Sequence, residues 1–247
     1  MKIRNKNLYT SLTLIVIFII GFTSDVVALN YSFGFIANED LVWKCDICDI
    51  NKMNDLFGEN WSSTGLFENL GQGKRMRWQV NTTKLNSTSL SATFNIWVWK
   101  NEENWGSYDY ISELSYLKDP SQYVSNYNLS IAIPFVPFWL PVPIGNYLGE
   151  LKLNRIFDVD NRVLPTINVQ VGRGFLEPSF PSEKVFIIAI YNSDGILSSF
   201  KLYTTGNVVV IDIRFESIPI YVIPSTIGLI GAFFIVIILY VKKKRKK

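Results

Sequence analysis

The chain has 247 residues, with 24 Lys and Arg against 21 Asp and Glu, two Cys and no His. Without imidazole there is no Ser-His-Asp triad, no Cys-His dyad, no helical HExxH zinc protease and no haem on a histidine, and two thiols cannot alone close a four-thiolate zinc site or hold an iron–sulfur cluster. With 48% hydrophobic and 18% charged residues, the composition is that of a folded chain.

The first segment, 1–28, has the pattern of a secretory signal. Lys2, Arg4 and Lys6 precede a short apolar run from Leu12 to Phe22, and Val26 with Ala28 offers a small-residue cleavage point that would start the mature chain at Leu29. Left uncleaved, the same segment is an N-terminal membrane anchor. Residues 29–217 then form a single domain, long enough to bury a real core. Five glycosylation sequons fall within it, at Asn30, Asn60, Asn81, Asn86 and Asn128.

Leu41, Trp43 and Cys45 alternate as in a strand and lead into Cys45-Asp46-Ile47-Cys48. A CxxC pair outside the cytoplasm serves as a structural disulfide, a redox centre or half of a shared metal site. A thioredoxin-type centre needs βαβ surroundings, which are missing, and the neighbouring Asp residues raise a thiol pKa rather than lower it. The expectation is therefore a Cys45–Cys48 disulfide and no metal. Asp49 caps a predicted helix from Ile50 to Phe57 that Gly58 stops. Gly71-Gln72-Gly73-Lys74 lacks the second half of either nucleotide fingerprint.

Met76, Trp78 and Val80 alternate with Arg75, Arg77, Gln79 and Asn81, and Leu90, Ala92, Phe94, Ile96 and Val98 alternate with polar neighbours. The polar stretch Thr82 to Thr88 would join these strands as a hairpin. Trp97 and Trp99 are expected to share the face opposite Phe94, Ile96 and Val98, so both faces of that strand need a cover. Core packing is the ordinary role for such aromatics, and a platform for carbohydrate or lipid is the sharper one. Glu102-Glu103 lies in a polar loop. Asp119-Pro120 is a cap followed by a first-turn proline, with a helix predicted to about Asn126.

Ile133 to Pro143 packs four prolines among Phe135, Val136, Phe138, Trp139, Leu140 and Val142. Proline at this density blocks helix and central strand alike. The segment is expected to be a plug tucked against the sheet; its alternative is an apolar lip, with Phe135, Phe138 and Trp139 meeting a ligand or partner alongside Trp97 and Trp99. Asp158-Val159-Asp160-Asn161 lacks the further ligands and glycine of a calcium loop and is expected to be an Asx turn. Three strands follow, Val185–Asn192, Leu197–Thr204 and Asn207–Phe215, joined by short Gly-bearing turns as a meander.

Ile223 to Val241 is a 19-residue run without formal charge, followed by six consecutive Lys and Arg at 242–247. At about 1.5 Å per residue it is long enough to span a bilayer, and the basic cluster belongs on the cytoplasmic side. Nine basic residues sit at the two ends, which leaves 15 against 21 acids between Asp25 and Glu216, a net of −6. That acidic body speaks against nucleic acid.

Signal, β-rich domain, span and short basic tail together resemble uncharacterised archaeal surface proteins of the Asgard type. The Asn- and Ile-rich composition and the stretches Phe57-Gly58-Glu59-Asn60-Trp61 and Asp194-Gly195-Ile196-Leu197 carry the likeness. It implies an architecture and no activity. The sequence thus predicts a mainly β (α+β) fold: one antiparallel β-rich ectodomain, 29–217, with two short helices, a transmembrane helix at 218–241 and a cytoplasmic tail at 242–247. Its expected function is cell-surface binding or scaffolding of a protein, glycan or lipid partner, without catalysis or cofactor. A carrier of a hydrophobic ligand in a curved-sheet cavity is the alternative, and a His-independent enzyme comes third.

Overall fold

The computed structural model describes residues 30–101, 105–130, 133–176 and 179–216. The signal-like segment, the apolar run, the basic tail and Glu102-Glu103 lie outside them. Among the described residues no helix is long and apolar enough to cross a membrane.

Nine strands form one antiparallel sheet: β1 (Asp40–Cys48), β2 (Arg75–Leu85), β3 (Ser89–Lys100), β4 (Tyr110–Leu117), β5 (Phe157–Asp160), β6 (Thr166–Val171), β7 (Val185–Tyr191), β8 (Leu197–Thr204) and β9 (Val208–Phe215). Their order is β4-β3-β2-β1-β9-β8-β7-β6-β5. Two meanders, β1–β4 and β5–β9, are thus welded by pairing the first strand to the last, with Trp43 opposite Phe215 and Cys45 opposite Ile213. Antiparallel neighbours need only short turns, and the long connection between the meanders, residues 118–156, is free to cross one face.

Helix α1 (Ile50–Phe57) has the expected bounds: the Asp49 carboxylate accepts from the Lys52 backbone N–H, and Gly58 ends the helix at φ 80°. The helix expected after Asp119-Pro120 is a correction. Only a 3-10 turn, Pro120–Gln122, forms, although Asp119 caps it. The Tyr123 hydroxyl accepts from the Leu117 N–H, and the Tyr123 ring packs on Tyr127 at 4.2 Å. These contacts hold the chain extended where a second turn would start. A helix that the sequence reading missed, α2 (Ile144–Glu150), follows Pro143.

The inner face of the sheet is apolar throughout, carried by Leu41, Trp43, Met76, Trp78, Phe94, Ile96, Ile167, Val169, Ile187, Ala189, Phe200, Leu202, Ile211 and Ile213. The proline-rich segment covers its centre, and helix α1 and Phe67, which packs on Phe200, complete the cover. Phe138 packs on Trp43 and Trp78 at 5.0 and 5.6 Å, and Trp139 packs on Phe33, Phe35, Phe94 and Tyr116. Its backbone is laced to two neighbours. Leu140 N–H donates to Gly195 O and Leu197 N–H to Phe138 O, while Val142 and Ser32 exchange both bonds. Pro141 and Pro143 alternate with the donors Leu140 and Val142, so these bonds are made by the residues between the prolines.

Three tyrosine hydroxyls tie the plug to the sheet and to its own flank. Tyr116 donates to Trp139 O at 2.9 Å, Tyr191 to Pro137 O at 2.7 Å and Tyr147 to Leu117 O at 3.0 Å. Burial pushes all three phenols above their ordinary value of 10.0. The folded chain therefore keeps protons that the unfolded chain loses, so stability is full below pH 10 and falls as pH rises past it. Chemical denaturation at stepped pH is expected to give a flat stability from pH 7 to 9 and a steep loss above 10. A loss already complete by pH 9 would exclude this anchoring.

The outer face differs between the two halves. Across β1, β2 and β9 it is a ladder of ion pairs. Arg77 makes a two-pronged contact with Asp40 and lies 4.5 Å over the Trp97 ring, and Arg75 pairs with Glu216. Asp212, nearly inaccessible, is held by Arg214 at 3.0 Å and Lys201 at 3.4 Å. Beyond β8 that ladder stops.

Candidate functional site

The five aromatics expected as a partner surface offer none. Phe135, Phe138 and Trp139 are fully buried in the plug, and Trp97 and Trp99 are buried as well. Trp97 and Trp99 do not share a face either. Register slips between Arg75 and Arg77, where Met76 of β2 opposes both Val98 and Trp99 of β3, and this bulge turns Trp99 into the core beside Val98. There its indole N–H donates to Leu66 O. Trp97 stays on the outer side beneath Arg77, with its N–H on Gly106 O.

Cys45 and Cys48 are both buried and both free thiols, so the expected disulfide is not formed in this structure. Residues three apart on a regular strand point to opposite faces, but a bulge between Cys45 and Ile47 rotates Cys48 to the same side. The Cys45 thiol donates to Ile47 O and is pushed up in pKa by its hydrogen bond with Cys48 and then by burial, with Asp46 and Asp212 adding to the effect; Cys48 moves down through the same bond. Burial of both sulfurs shields the pair from reagents in solution. Iodoacetamide at pH 8 is expected to leave both thiols unmodified in the native chain and to modify both after unfolding, as read by intact mass. A native mass two hydrogens short would instead show an oxidised pair.

The sequons divide similarly. Asn30, Asn60, Asn81 and Asn86 are exposed, whereas Asn128 is half-buried and its side-chain oxygen finds no hydrogen-bond partner. Asp158 and Asp160 stand in β5, and Asp160 accepts from the Arg162 backbone and guanidinium, which hold its carboxyl down at about 2. This is the Asx turn expected from the sequence, and among the described residues no group of three or more acidic or thiol side chains is placed to hold a metal.

The concave site that does exist lies on the outer face of β5–β8. Cross-strand register lays out its floor. Gln170, Phe186 and Tyr203 form one row, Asp158, Asn168, Ile188 and Lys201 the next, and Asp160, Thr166, Ile190 and Ser199 the third. A cleft of about 550 Å³ covers the first two rows, lined by Ile156, Asp158, Asn168, Gln170, Phe186, Ile188, Tyr203 and Asn207. A second cleft of about 420 Å³ adjoins it on the third row, between Asp160, Arg162, Val163, Leu164, Thr166 and Ile190. Val163 at its rim is 90% exposed.

Chemically, the site is an apolar column flanked by hydrogen-bonding columns. Phe186, Ile188 and Ile190 form the column, with a carboxylate and amides on the β5–β6 side and a phenol on the β8 side. Among the described residues, the side chains of Asp158, Asn168, Gln170, Tyr203 and Asn207 make no hydrogen bond to one another or to the rest of the fold. The sequence reading missed this face. Its signal was the run Val185–Tyr191, seven apolar residues on one strand, so that Phe186, Ile188 and Ile190 had to emerge on the side away from Val185, Ile187 and Ala189. No family model, no curated protein and no solved structure matches the chain.

Proposed function

We propose that this chain is a membrane-anchored binding module of the cell surface, without catalytic activity, whose ligand occupies the outer-face cleft of β5–β8. One observation carries the reading: the inner face is packed by the chain's own plug, helix α1 and N-terminal loop, while the outer face of β5–β8 keeps an apolar floor and unused hydrogen-bonding groups. A packed interior argues against the carrier, which needs an apolar cavity between the sheet and the helices, rimmed by the Pro134–Pro143 loop. The anchor rests on the charge-free run at 223–241 and the basic tail that follows it.

A cleft masked by a glycan provides the test. Gln170→Thr completes an acceptor sequon beginning at Asn168, inside the cleft, in a chain with no other sequon after Asn128. The full-length chain, immobilised, is expected to retain envelope material from its native cell and to lose it when the glycosylated Gln170→Thr variant is used. Equal retention by both forms would place binding elsewhere. A lipid-sized mass that survives desalting of residues 29–217 in native mass spectrometry would replace this reading with the carrier.

A further inference from the structure

Resting on that reading of the cleft, we infer that its ligand is a linear, neutral oligosaccharide lying along β7. The floor and the walls ask for different things from one molecule. Phe186 and Tyr203 are register partners across β7 and β8, and with Ile188 and Ile156 they make an apolar floor that the C–H face of a sugar ring can cover beside the Lys184 ammonium, 5.0 Å from the Phe186 ring centroid. Around it stand Asp158, which as a carboxylate only accepts, and the amides of Asn168, Gln170 and Asn207 with the Tyr203 phenol, which both donate and accept. Hydroxyl groups satisfy every one of these, and they supply the donors that Asp158 needs.

Other ligand classes fit less well. A hydrocarbon chain would cover the floor but strip water from a carboxylate, three amides and a phenol without replacing their hydrogen bonds. An anionic group would meet Asp158 with no cation in the lining of the larger cleft. Of the nearby cations, Lys201 and Arg162 are paired with Asp212 and Asp160, and Lys184 lies 5.0 Å over the Phe186 ring. The second cleft extends the site along β7 from Phe186 to Ile190, about 13 Å at strand spacing, so the ligand is linear and longer than one ring. Two of the five sequons, at Asn81 and Asn86, lie at the β2–β3 hairpin in the other half of the sheet.

The test uses the full-length chain in a detergent without a sugar headgroup. The probes are the linear tetrasaccharides of glucose, mannose and N-acetylglucosamine, followed by saturation-transfer NMR and calorimetry. At least one is expected to bind saturably, and the near-isosteric Asp158→Asn is expected to weaken it by about tenfold, the loss of one charge-assisted hydrogen bond. Phe186→Ala is expected to abolish it while Ile36→Ala, exposed and distant, leaves it unchanged. A thermal melt of each variant confirms folding. Binding that ignores both cleft substitutions overturns the inference. If no probe binds but glycan masking at Asn168 still removes the envelope ligand, the ligand class is wrong and the binding module stands. If masking changes nothing as well, both fall.

Discussion

Trp139→Ala is expected to destabilise the protein by about 4 kcal/mol, the ordinary cost of emptying a fully buried aromatic site. The ring is inaccessible and touches Phe33, Phe35, Phe94 and Tyr116, which come from the N-terminal loop, β3 and β4. Removing it opens a void where three separate parts of the chain meet, and the backbone bonds on either side resist collapse into it. For a domain of this size the loss corresponds to roughly 12 °C in melting temperature. Trp139→Phe makes the comparison sharp. The indole N–H is buried without a hydrogen-bond partner. Phenylalanine keeps most of the ring contact and removes an unsatisfied donor, whose burial costs about 1–3 kcal/mol. That variant is expected to lie within about 1 kcal/mol of wild type. A Phe variant as damaged as the Ala variant would show that the indole N–H is satisfied after all.

Gly195→Ala is expected to cost a similar amount, about 4 kcal/mol, for a different reason. Gly195 sits in the β7–β8 turn at φ 73°, and a Cβ there would lie 2.1 Å from Leu140 O. The clash is with backbone, so relief requires moving the plug away from the turn and loosening the Leu140–Gly195 hydrogen bond. Gly206→Ala separates the two contributions. It shares the left-handed conformation, at φ 89°, but its Cβ would meet nothing within 4 Å. Only the backbone strain applies there, about 1–2 kcal/mol. Equal destabilisation at both positions, measured by denaturant titration, would show that the plug yields freely and that the close approach is not what requires glycine at 195. Gly34, whose Cβ would lie 2.1 Å from Asp194 O, makes the third side of the same junction.

These two sites show where sequence patterning stops being informative. Alternation in 76–80 and 90–98 predicts strands because every second side chain of a strand shares a face, and the helix at 50–57 follows from its own cap and stop. Each of those signals is complete within a dozen residues. The β4, β5 and β6 strands were not predicted; in Tyr110–Leu117, at the sheet edge, Tyr110, Leu114 and Tyr116 fall on one face but Ile111 and Leu117 on the other, which blurs the alternation. The bulges at 45–47 and 97–100 were hidden altogether. A bulge is chosen by the register of two strands against each other, and one extra residue reverses which side chains point inward. For that reason Trp97 and Trp99 parted company, and Cys45 and Cys48 came to share a face.

The binding cleft had a local trace, the doubly apolar strand Val185–Tyr191, but not a location. Whether Phe186, Ile188 and Ile190 were covered depended on where residues 118–156 went, and the composition of that segment suits either face.

The amino-acid sequence by itself determined that the chain is mainly β and antiparallel, that its chemistry excludes histidine, that its apolar runs lie at the two ends, and that the proline-rich middle is neither helix nor central strand. Composition and near-neighbour geometry suffice for all of these. Tertiary structure alone decided that nine strands make one sheet closed at its centre by β1 and β9, that the plug covers the centre of the inner face, and that the described residues leave the outer face of β5–β8 uncovered. Those outcomes depend on contacts between residues more than a hundred positions apart, such as Trp43 with Leu197, where the indole N–H donates to the carbonyl at 2.7 Å. No local pattern encodes which of two apolar faces the chain will cover with itself.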